Sequence, residues 1–226
     1  MQKTTGLTGN QLKLIAMAAM TIDHIGVQLF PNVLLLRIIG RLALPIFAYM
    51  IAQGCRYTKN KARYLLTIAA VAALCQIVYF VAMDSLYQCI LVTFSLSIVL
   101  IYVLDDAIQK PRFHKTSLAA LVLVAVYGIS EVLPRFLPGF YVDYGFAGIL
   151  LPVLIWFGRN KWQSILLCAA GLILLNVGNG IQWYSLLALP LLVLYNGTRG
   201  KRKLKYLFYI YYPAHLALLY LISLVV

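Results

Sequence analysis

The sequence predicts an all-α integral membrane protein, a bundle of about nine transmembrane helices, from two observations. Of its 226 residues, 63% are hydrophobic and only 11% are charged, a balance that a soluble domain of this length does not need. The hydrophobic residues also fall into runs separated by polar turns, as membrane-spanning helices do. We expect one polytopic membrane domain, 1–226, with helices over residues 12–30, 33–53, 63–83, 86–104, 118–134, 144–158, 163–178, 182–195 and 206–226.

The positive charges predict how these helices are oriented. The chain carries 19 Lys and Arg against 6 Asp and Glu, a net charge of +13. All but Arg37, Arg41 and Arg135 lie in the N-terminal segment or in the even-numbered loops, which the positive-inside rule places in the cytoplasm. We therefore expect a cytoplasmic N-terminus and an external C-terminus. This distribution indicates contact with membrane lipid and not with nucleic acid, and it leaves open the binding of an anionic cytosolic cofactor.

The first helix carries an acid and an imidazole, Asp23 and His24, past its middle. A central Asp costs about 3 kcal/mol to insert, so both side chains should face the bundle interior or a wet cavity. Lys13 lies eleven residues before His24, which places the two on one face about 16 Å apart. Asp23 points about 100° away from His24 and is expected to pair with another helix. The alternative for Lys13 alone is a side chain that snorkels to the membrane surface.

The second helix offers partners for Asp23. Arg37 and Arg41 are four residues apart on one face, and the hairpin returns that face to the depth of Asp23. One carboxylate cannot neutralise two guanidiniums, so the excess positive charge is available to an anionic or carbonyl group of a ligand. Alternatively, Arg37 snorkels to the outer interface. Pro45 cannot donate to the carbonyl of Arg41, which predicts a kink beside that arginine.

Other polar residues in the hydrophobic part of the chain are expected to be structural. Hydrogen bonds between helices are expected from Gln76, Gln88, Thr93, Ser95 and Ser97. An outer polar loop is expected to hold Asn176, Asn179, Gln182 and Trp183. No metal site or disulfide is indicated by the spacing of the cysteines, which we expect to be packing residues: Cys55, Cys75, Cys89 and Cys168.

The last helix contains a second histidine near mid-membrane. His215 follows Pro213, and Tyr211 and Tyr212 lie four and three residues before it on the same side. A tyrosine hydroxyl is therefore available to this imidazole. His215 is either a core histidine with satisfied hydrogen bonds or part of a site with His24, and the sequence leaves both open.

Three segments together resemble the TraX family: LKLIAMAAMTIDHIG, LRIIGRLALPIFAYMIAQGCRYTKNKARYLL and YLFYIYYPAHLALLYL. The founding member of that family acetylates the N-terminus of F-type pilin. The family is similar to a wider group of multi-spanning acyltransferases with a basic residue, ten intervening residues and a His in the first helix. Lys13 and His24 match that spacing. Leu44 stands where the family pattern suggests Phe before the proline, a conservative departure.

The resemblance implies an acyl-coenzyme A-dependent N- or O-acetyltransferase in the bacterial cytoplasmic membrane. The donor would be acetyl-coenzyme A or another short acyl-coenzyme A from the cytosol. The acceptor would be an amine or hydroxyl in the cell envelope, on pilin or on a glycan or other polymer. Lys13, Arg41 and Tyr212 would bind this donor, with Lys13 and the basic loops at the phosphates of coenzyme A, and no metal is implied.

The same resemblance gives roles to the buried charged residues. His24 would act as general base towards the acceptor. Asp23 would fix an arginine, while Arg41 and Arg37 would polarise the thioester carbonyl or hold the acceptor. His215 would orient a ligand or replace His24 as the base. Direct transfer and a covalent acyl-histidine both remain open.

Two other classes of function fit the buried charges. In a small proton-linked transporter or flippase, Asp23, His24 and Arg41 would form a proton relay. In a non-catalytic membrane assembly factor, the same charges would serve to specify the fold. The transporter predicts substrate movement without coenzyme A, and the assembly factor predicts that neutral replacements retain function.

Overall fold

The computed structural model of the protein describes residues 5–177, 180–201 and 204–223. These residues form helices joined by turns, with two isolated β-bridges, Leu7 to Tyr195 and Gln88 to Val142. The prediction of an all-α protein is therefore confirmed. Asn179 of the expected polar loop lies outside the described residues, as do three of the basic residues used to predict the orientation, Lys3, Arg202 and Lys203.

In chain order, the α-helices of the described residues are α1 (Gly9–Gln28), α2 (Leu34–Gly40), α3 (Ala43–Tyr57), α4 (Lys61–Met83), α5 (Ile90–Gln109), α6 (Phe113–Tyr127), α7 (Gly145–Phe157), α8 (Lys161–Asn176), α9 (Leu189–Val193) and α10 (Lys205–Ser223). A π-helical turn, Gly128–Val132, and a 3-10 turn, Leu133–Arg135, continue α6. A longer 3-10 helix, Gly180–Ala188, leads directly into α9.

Two of the predicted helices differ from the observed ones in their internal structure. The run predicted at 33–53 is interrupted at Arg41 and Leu42, where α2 ends and α3 begins. Pro45 lies in the first turn of α3 and has no N–H for the carbonyl of Arg41, so the predicted kink is a two-residue turn, across which Arg41 N and Leu42 N still donate to carbonyls of α2. The helix predicted at 182–195 is mostly 3-10, with a single α-helical stretch at its end.

Four helical runs are long and apolar enough to cross a membrane: Leu34–Tyr57, Lys61–Val81, Ile90–Gln109 and Phe113–Arg135. Shorter apolar helices among the described residues are Gly145–Phe157, Lys161–Asn176, Gly180–Val193 and Leu207–Ile222. Helix α1 contains Lys13, Asp23 and several amides, which make it more polar than these four runs. The membrane character of the chain is supported, whereas the nine-span topology and its orientation stay predictions.

The chain divides into two compact units, one formed by Met1–Met50 with Asn160–Val226 and the other by Ile51–Arg159. Their membership of a single membrane domain stays a prediction. In the second unit, α5 packs against α4, α6 and α7. Thr93 and Ser97 of α5 donate to the carbonyls of Asp143 and Ile149 at 2.8 Å each, which confirms their structural role.

The first unit contains all the residues to which the sequence assigns a role in the site. In it α1 packs against α2 and α10, and the 3-10 helix packs against α2 and α8. Helix α1 begins with a capping box, in which Gln11 N donates to Thr8 Oγ1 at 3.3 Å and Thr8 N donates to Gln11 Oε1 at 2.8 Å. This cap sets the start of α1 at Gly9, three residues earlier than predicted.

Candidate functional site

The site is built around one carboxylate held between two guanidiniums. Nη2 of Arg41 donates to both oxygens of Asp23 at 2.6 Å, and Nη1 of Arg37 lies 2.9 Å from Oδ1. The side chain of Asp23 is 14% exposed and that of Arg41 is 8% exposed. The predicted pairing is confirmed, and Arg37 turns inward to Asp23 instead of snorkelling outward. The three side chains carry one positive charge in excess.

Two glycines allow α1 and α2 to approach closely enough for this contact. A Cβ on Gly40 would lie 2.2 Å from Oδ1 and 2.3 Å from Cβ of Asp23. A Cβ on Gly26 would lie 2.9 Å from Cβ of Leu36. Small residues at helix contacts in membranes serve this purpose generally. The glycines of the DHIG and RIIGR segments are therefore explained by helix packing around the ion pairs.

The turn between α2 and α3 places Arg41 where its side chain contacts α1, α2 and the 3-10 helix. Its Nε donates to the carbonyl of Arg37 at 3.3 Å, and its Nη1 donates to Oε1 of Gln182 at 3.0 Å. Together with the bonds to Asp23, these contacts fix the guanidinium in one orientation. Buried charges are tolerated when they are paired and hydrogen-bonded in this way.

The position of Gln182 corrects the sequence prediction. Instead of an outer polar loop, this residue lies fully buried in the 3-10 helix and contacts Arg41. Asn176, expected in the same loop, is also fully buried, at the end of α8. The sequence does contain a signal for this contact: Gln182 is an amide in an otherwise apolar run. Burying an amide costs free energy unless a polar partner lies at the same depth, so such a partner could have been expected.

The second half of the site is a pair of hydrogen-bonded histidines. Nδ1 of His24 lies 2.9 Å from Nε2 of His215, and the two ring planes are within 5° of each other. Nδ1 of His215 lies 3.0 Å from the carbonyl oxygen of Tyr211. The sequence left two roles open for His215, and the structure joins it to His24.

The carbonyl of Tyr211 determines the tautomers of the neutral pair. A carbonyl only accepts, so Nδ1 of His215 is the protonated nitrogen and its Nε2 accepts a hydrogen bond. His24 must then donate from Nδ1, which leaves its Nε2 unprotonated. The arrangement therefore leaves Nε2 of His24 unprotonated and orients the ring through its other nitrogen, Nδ1.

The tyrosines of α10 hold His215 in place, though not as predicted. The hydroxyl of Tyr211 hydrogen-bonds to Oγ1 of Thr21 and not to His215, and Thr21 in turn donates to the carbonyl of Met17 at 3.0 Å. Tyr211 faces His215 with its ring, at 5.1 Å between centroids. Tyr212 meets the same imidazole edge to face at 5.3 Å. The Tyr211 hydroxyl is therefore not the partner of His215, whose Nδ1 lies beside the Tyr211 carbonyl in the same helix and whose Nε2 lies beside His24.

Lys13 lies apart from these residues, nearer the start of α1. Its Nζ is 5.2 Å from the centroid of the Phe208 ring on α10, a cation–π contact. Eleven residues of helix separate it from His24, about 16 Å along the axis. The structure thus brings Asp23, His24, Arg37, Arg41, His215 and Tyr212 around one end of α1 and leaves Lys13 towards the other.

Gly40→Ala is expected to destabilise the site by forcing Asp23 away from Arg41. The added methyl overlaps the Asp23 side chain, and overpacking of this kind costs about 1–3 kcal/mol. The midpoint of thermal unfolding in detergent should fall. Gly128→Ala is the matched control, because the new Cβ would meet nothing within 4 Å beyond its chain neighbours and its own helix backbone, and it should leave the midpoint unchanged or raise it. Equal midpoints for the two variants would contradict the packing role of Gly40.

The sequence of the chain matches a known protein family. The family model described as TraX protein matches residues 8–223. The chain belongs to the TraX family. The match includes every site residue from Lys13 to His215, and the resemblance seen in three sequence segments therefore extends over nearly the whole chain.

Two relatives of this TraX-family chain are informative. It is 29% identical over 157 residues to an uncharacterised protein of Rickettsia prowazekii, covering 70% of the chain and 58% of that protein. It is 26% identical over 242 residues to a probable fimbrial assembly protein FimC, serogroup H1, of Dichelobacter nodosus, covering 97% of each. No solved structure matches the TraX-family chain.

Proposed function

We propose that the chain is a membrane-embedded acyltransferase that moves an acetyl or other short acyl group from acyl-coenzyme A to an amine or hydroxyl. The observation that supports this most strongly is the hydrogen bond between His24 and His215. It leaves Nε2 of His24 unprotonated, and the preceding residue of α1, Asp23, holds two arginines with an excess positive charge. A base beside a cation is the combination that acyl transfer requires.

The proposed chemistry follows from these atoms. Nε2 of His24 removes a proton as the acceptor nitrogen or oxygen attacks the thioester carbon. The new bond gives a tetrahedral intermediate whose oxyanion is stabilised by the arginine charge. The carbon–sulfur bond then breaks, and protonated His24 returns the proton to the sulfur, so that coenzyme A leaves as a thiol. Nε2 of His215 accepts from Nδ1 of His24 throughout and stabilises the imidazolium.

The two arginines differ in what they can offer the oxyanion. Arg41 is held by Asp23, Gln182 and the carbonyl of Arg37. Arg37 is bonded to Asp23 through Nη1, and its side chain is 26% exposed. We therefore assign the contact with the thioester carbonyl mainly to Arg37. Arg41 would hold Asp23 in position. Single-turnover labelling would distinguish direct transfer from a covalent acyl-histidine.

The donor and the acceptor would approach the site from opposite ends of α1. Lys13, with Arg199 and Lys201 from the loop before α10 in the same unit, would meet the phosphates of coenzyme A at the cytoplasmic side, with Tyr212 beside the acyl end. The acceptor would belong to the cell envelope of a bacterium, reached across the cytoplasmic membrane. Pilin and envelope glycans are candidates, and the relative named as a probable fimbrial assembly protein favours pilin.

Binding of coenzyme A to the purified protein in detergent tests the proposal, and calorimetry should give a micromolar dissociation constant. Lys13→Met removes the charge but keeps an apolar chain over Phe208, and it should weaken binding about tenfold or more because a hydrogen bond to a charged group is lost. Lys13→Arg keeps the charge and should bind like the wild type. Absence of binding to folded wild-type protein would refute the acyltransferase proposal.

A proton-linked transporter is the second candidate, favoured by the same hydrogen-bonded imidazoles. Buried histidines and carboxylates form proton relays in transporters. Proteoliposomes would show pH-dependent substrate movement without coenzyme A in that case. Transfer of labelled acetyl groups with no such movement would favour the enzyme.

A further inference from the structure

A second hydrogen-bonded bridge joins α1 to α10, about one turn from the histidine pair. The hydroxyl of Thr21 on α1 bonds to the hydroxyl of Tyr211 on α10. Thr21 lies three residues before His24 in α1, and on the other helix Tyr211 lies four residues before its own histidine, His215. Residues at these spacings share a helix face, so both bridges lie between the facing sides of α1 and α10. Their order is the same along both helices, which therefore run in the same direction here.

The hydrogen bonds of Thr21 have a defined direction. Its hydroxyl carries one hydrogen, which it donates to the carbonyl oxygen of Met17 at 3.0 Å. A carbonyl only accepts, so the hydrogen between Thr21 and Tyr211 must come from the tyrosine hydroxyl. Thr21 is therefore the acceptor that holds the end of the Tyr211 side chain on α1.

Tyr211 in turn holds the imidazole of His215 in two ways. Its ring lies against the imidazole, with 5.1 Å between the centroids and 11° between the planes. Its carbonyl oxygen lies 3.0 Å from Nδ1 of His215 and sets the tautomer. A tyrosine ring that is free to turn would no longer support one side of the imidazole, so the orientation of His215 depends on what holds Tyr211.

The backbone of α10 gives this stretch less support than an ordinary helix would. Pro213 lies between Tyr211 and His215, and α10 continues through it. A proline has no N–H, so it cannot donate to the carbonyl of Tyr209 as another residue would at this position. A side-chain bond to α1 next to the proline therefore supplies restraint where the helix lacks one of its own bonds.

We propose that Thr21 is a positioning residue for acyl transfer. By holding the ring of Tyr211, it keeps His215 where Nε2 accepts from Nδ1 of His24, and this bond leaves the other nitrogen of His24 unprotonated. The inference rests on the acyl transfer proposed above and adds a residue that acts only through Tyr211 and His215. The helix that carries the base thus also positions the partner of that base.

Steady-state kinetics test the inference. Thr21→Val has nearly the same shape without the hydroxyl, and it should lower kcat for acetyl transfer about three- to tenfold, because one neutral hydrogen bond is lost. KM for acetyl-coenzyme A should not change, since Thr21 is not expected to contact the donor. Thr21→Ser keeps the hydroxyl and should restore the rate. Thr67→Val is the matched control, because Thr67 of α4 also donates to the carbonyl four residues before it, that of Arg63 at 2.6 Å, and it should leave kcat unchanged.

Nitrogen-15 NMR of histidine-labelled protein gives a readout that needs no activity, because it shows which ring nitrogen carries the hydrogen. In the wild type both His24 and His215 should be protonated at Nδ1. Thr21→Val should shift part of both signals to the form protonated at Nε2 and leave the exposed His114 unchanged. Unchanged signals or an unchanged kcat in this variant would overturn the inference and leave the proposed function standing. Shifted signals in a protein that binds no coenzyme A would overturn the acyl transfer but not the control of Thr21 over the histidine pair.

A double variant separates positioning from folding. Thr21→Val leaves the hydroxyl of Tyr211 without its acceptor, so the thermal midpoint should fall. Combining it with Tyr211→Phe removes both hydroxyls, and the midpoint should recover. The kcat of the double variant should stay as low as that of Thr21→Val, because the two residues act through one bond and their effects do not add. Recovery of kcat together with the midpoint would assign Thr21 to folding alone and overturn the inference.

Discussion

His24→Ala is expected to lower the rate of acyl transfer about 10²- to 10⁴-fold, the usual contribution of a general base. The variant removes the nitrogen proposed to take the acceptor proton and also leaves Nε2 of His215 without its donor. His215→Ala should have a smaller effect, because His24 would keep its own basic nitrogen but lose the group that orients it.

The measurement is incorporation of labelled acetyl from acetyl-coenzyme A into envelope material by membranes that contain each variant. The third histidine of the chain provides a matched control. His114 lies exposed near the start of α6, and His114→Ala should transfer acetyl at the wild-type rate. Normal turnover in folded His24→Ala protein would remove the basis of the proposed mechanism.

Asp23→Asn is expected to cause the largest loss of stability among single substitutions in the site. It leaves two guanidiniums facing each other with no carboxylate, and breaking a buried ion pair from one side costs about 3–5 kcal/mol. Arg37→Gln should cost less, because Asp23 and Arg41 then form a balanced pair. The order of the two effects follows directly from the charge count.

Unfolding midpoints in detergent check this order. Asp106→Asn is the control, since Asp106 pairs with Lys115 at 2.7 Å but is largely exposed, and exposed pairs contribute little. A midpoint for Asp23→Asn close to that of Asp106→Asn would contradict the structural importance of the carboxylate. Coenzyme A binding should also be measured, because misplacement of Arg37 is expected to impair the site even in protein that remains folded.

Local spacing predicted the ion pairs correctly. Arg37 and Arg41 are four residues apart, so they share a helix face, and a short turn brings that face to Asp23. Consecutive helix residues point about 100° apart, which predicts different partners for Asp23 and His24. The structure confirms this, because Asp23 contacts Arg41 and His24 contacts His215. These inferences succeed because they depend on the geometry of one helix or one hairpin.

The spacing of residues along the chain does not predict contacts between distant segments. Nothing local to Gln182 indicates Arg41 as its partner, because the two are 141 residues apart. The 3-10 form of Gly180–Ala188 was also missed, since its apolar run is equally typical of an α-helix. Similarly, the sequence placed His24 and His215 in the membrane but could not choose between pairing and separate burial.

The histidine pair would also determine when the proposed activity begins. His24 and His215 are 191 residues apart, on the first and last described helices, so the ribosome makes one long before the other. A growing chain can form the contacts of Asp23 with Arg37 and Arg41 early, but it has no imidazole pair until α10 has been synthesised and docked. If His24 is the catalytic base and His215 orients it, an incomplete chain has a base that is not yet oriented, and full activity would begin only after assembly of the first unit is finished.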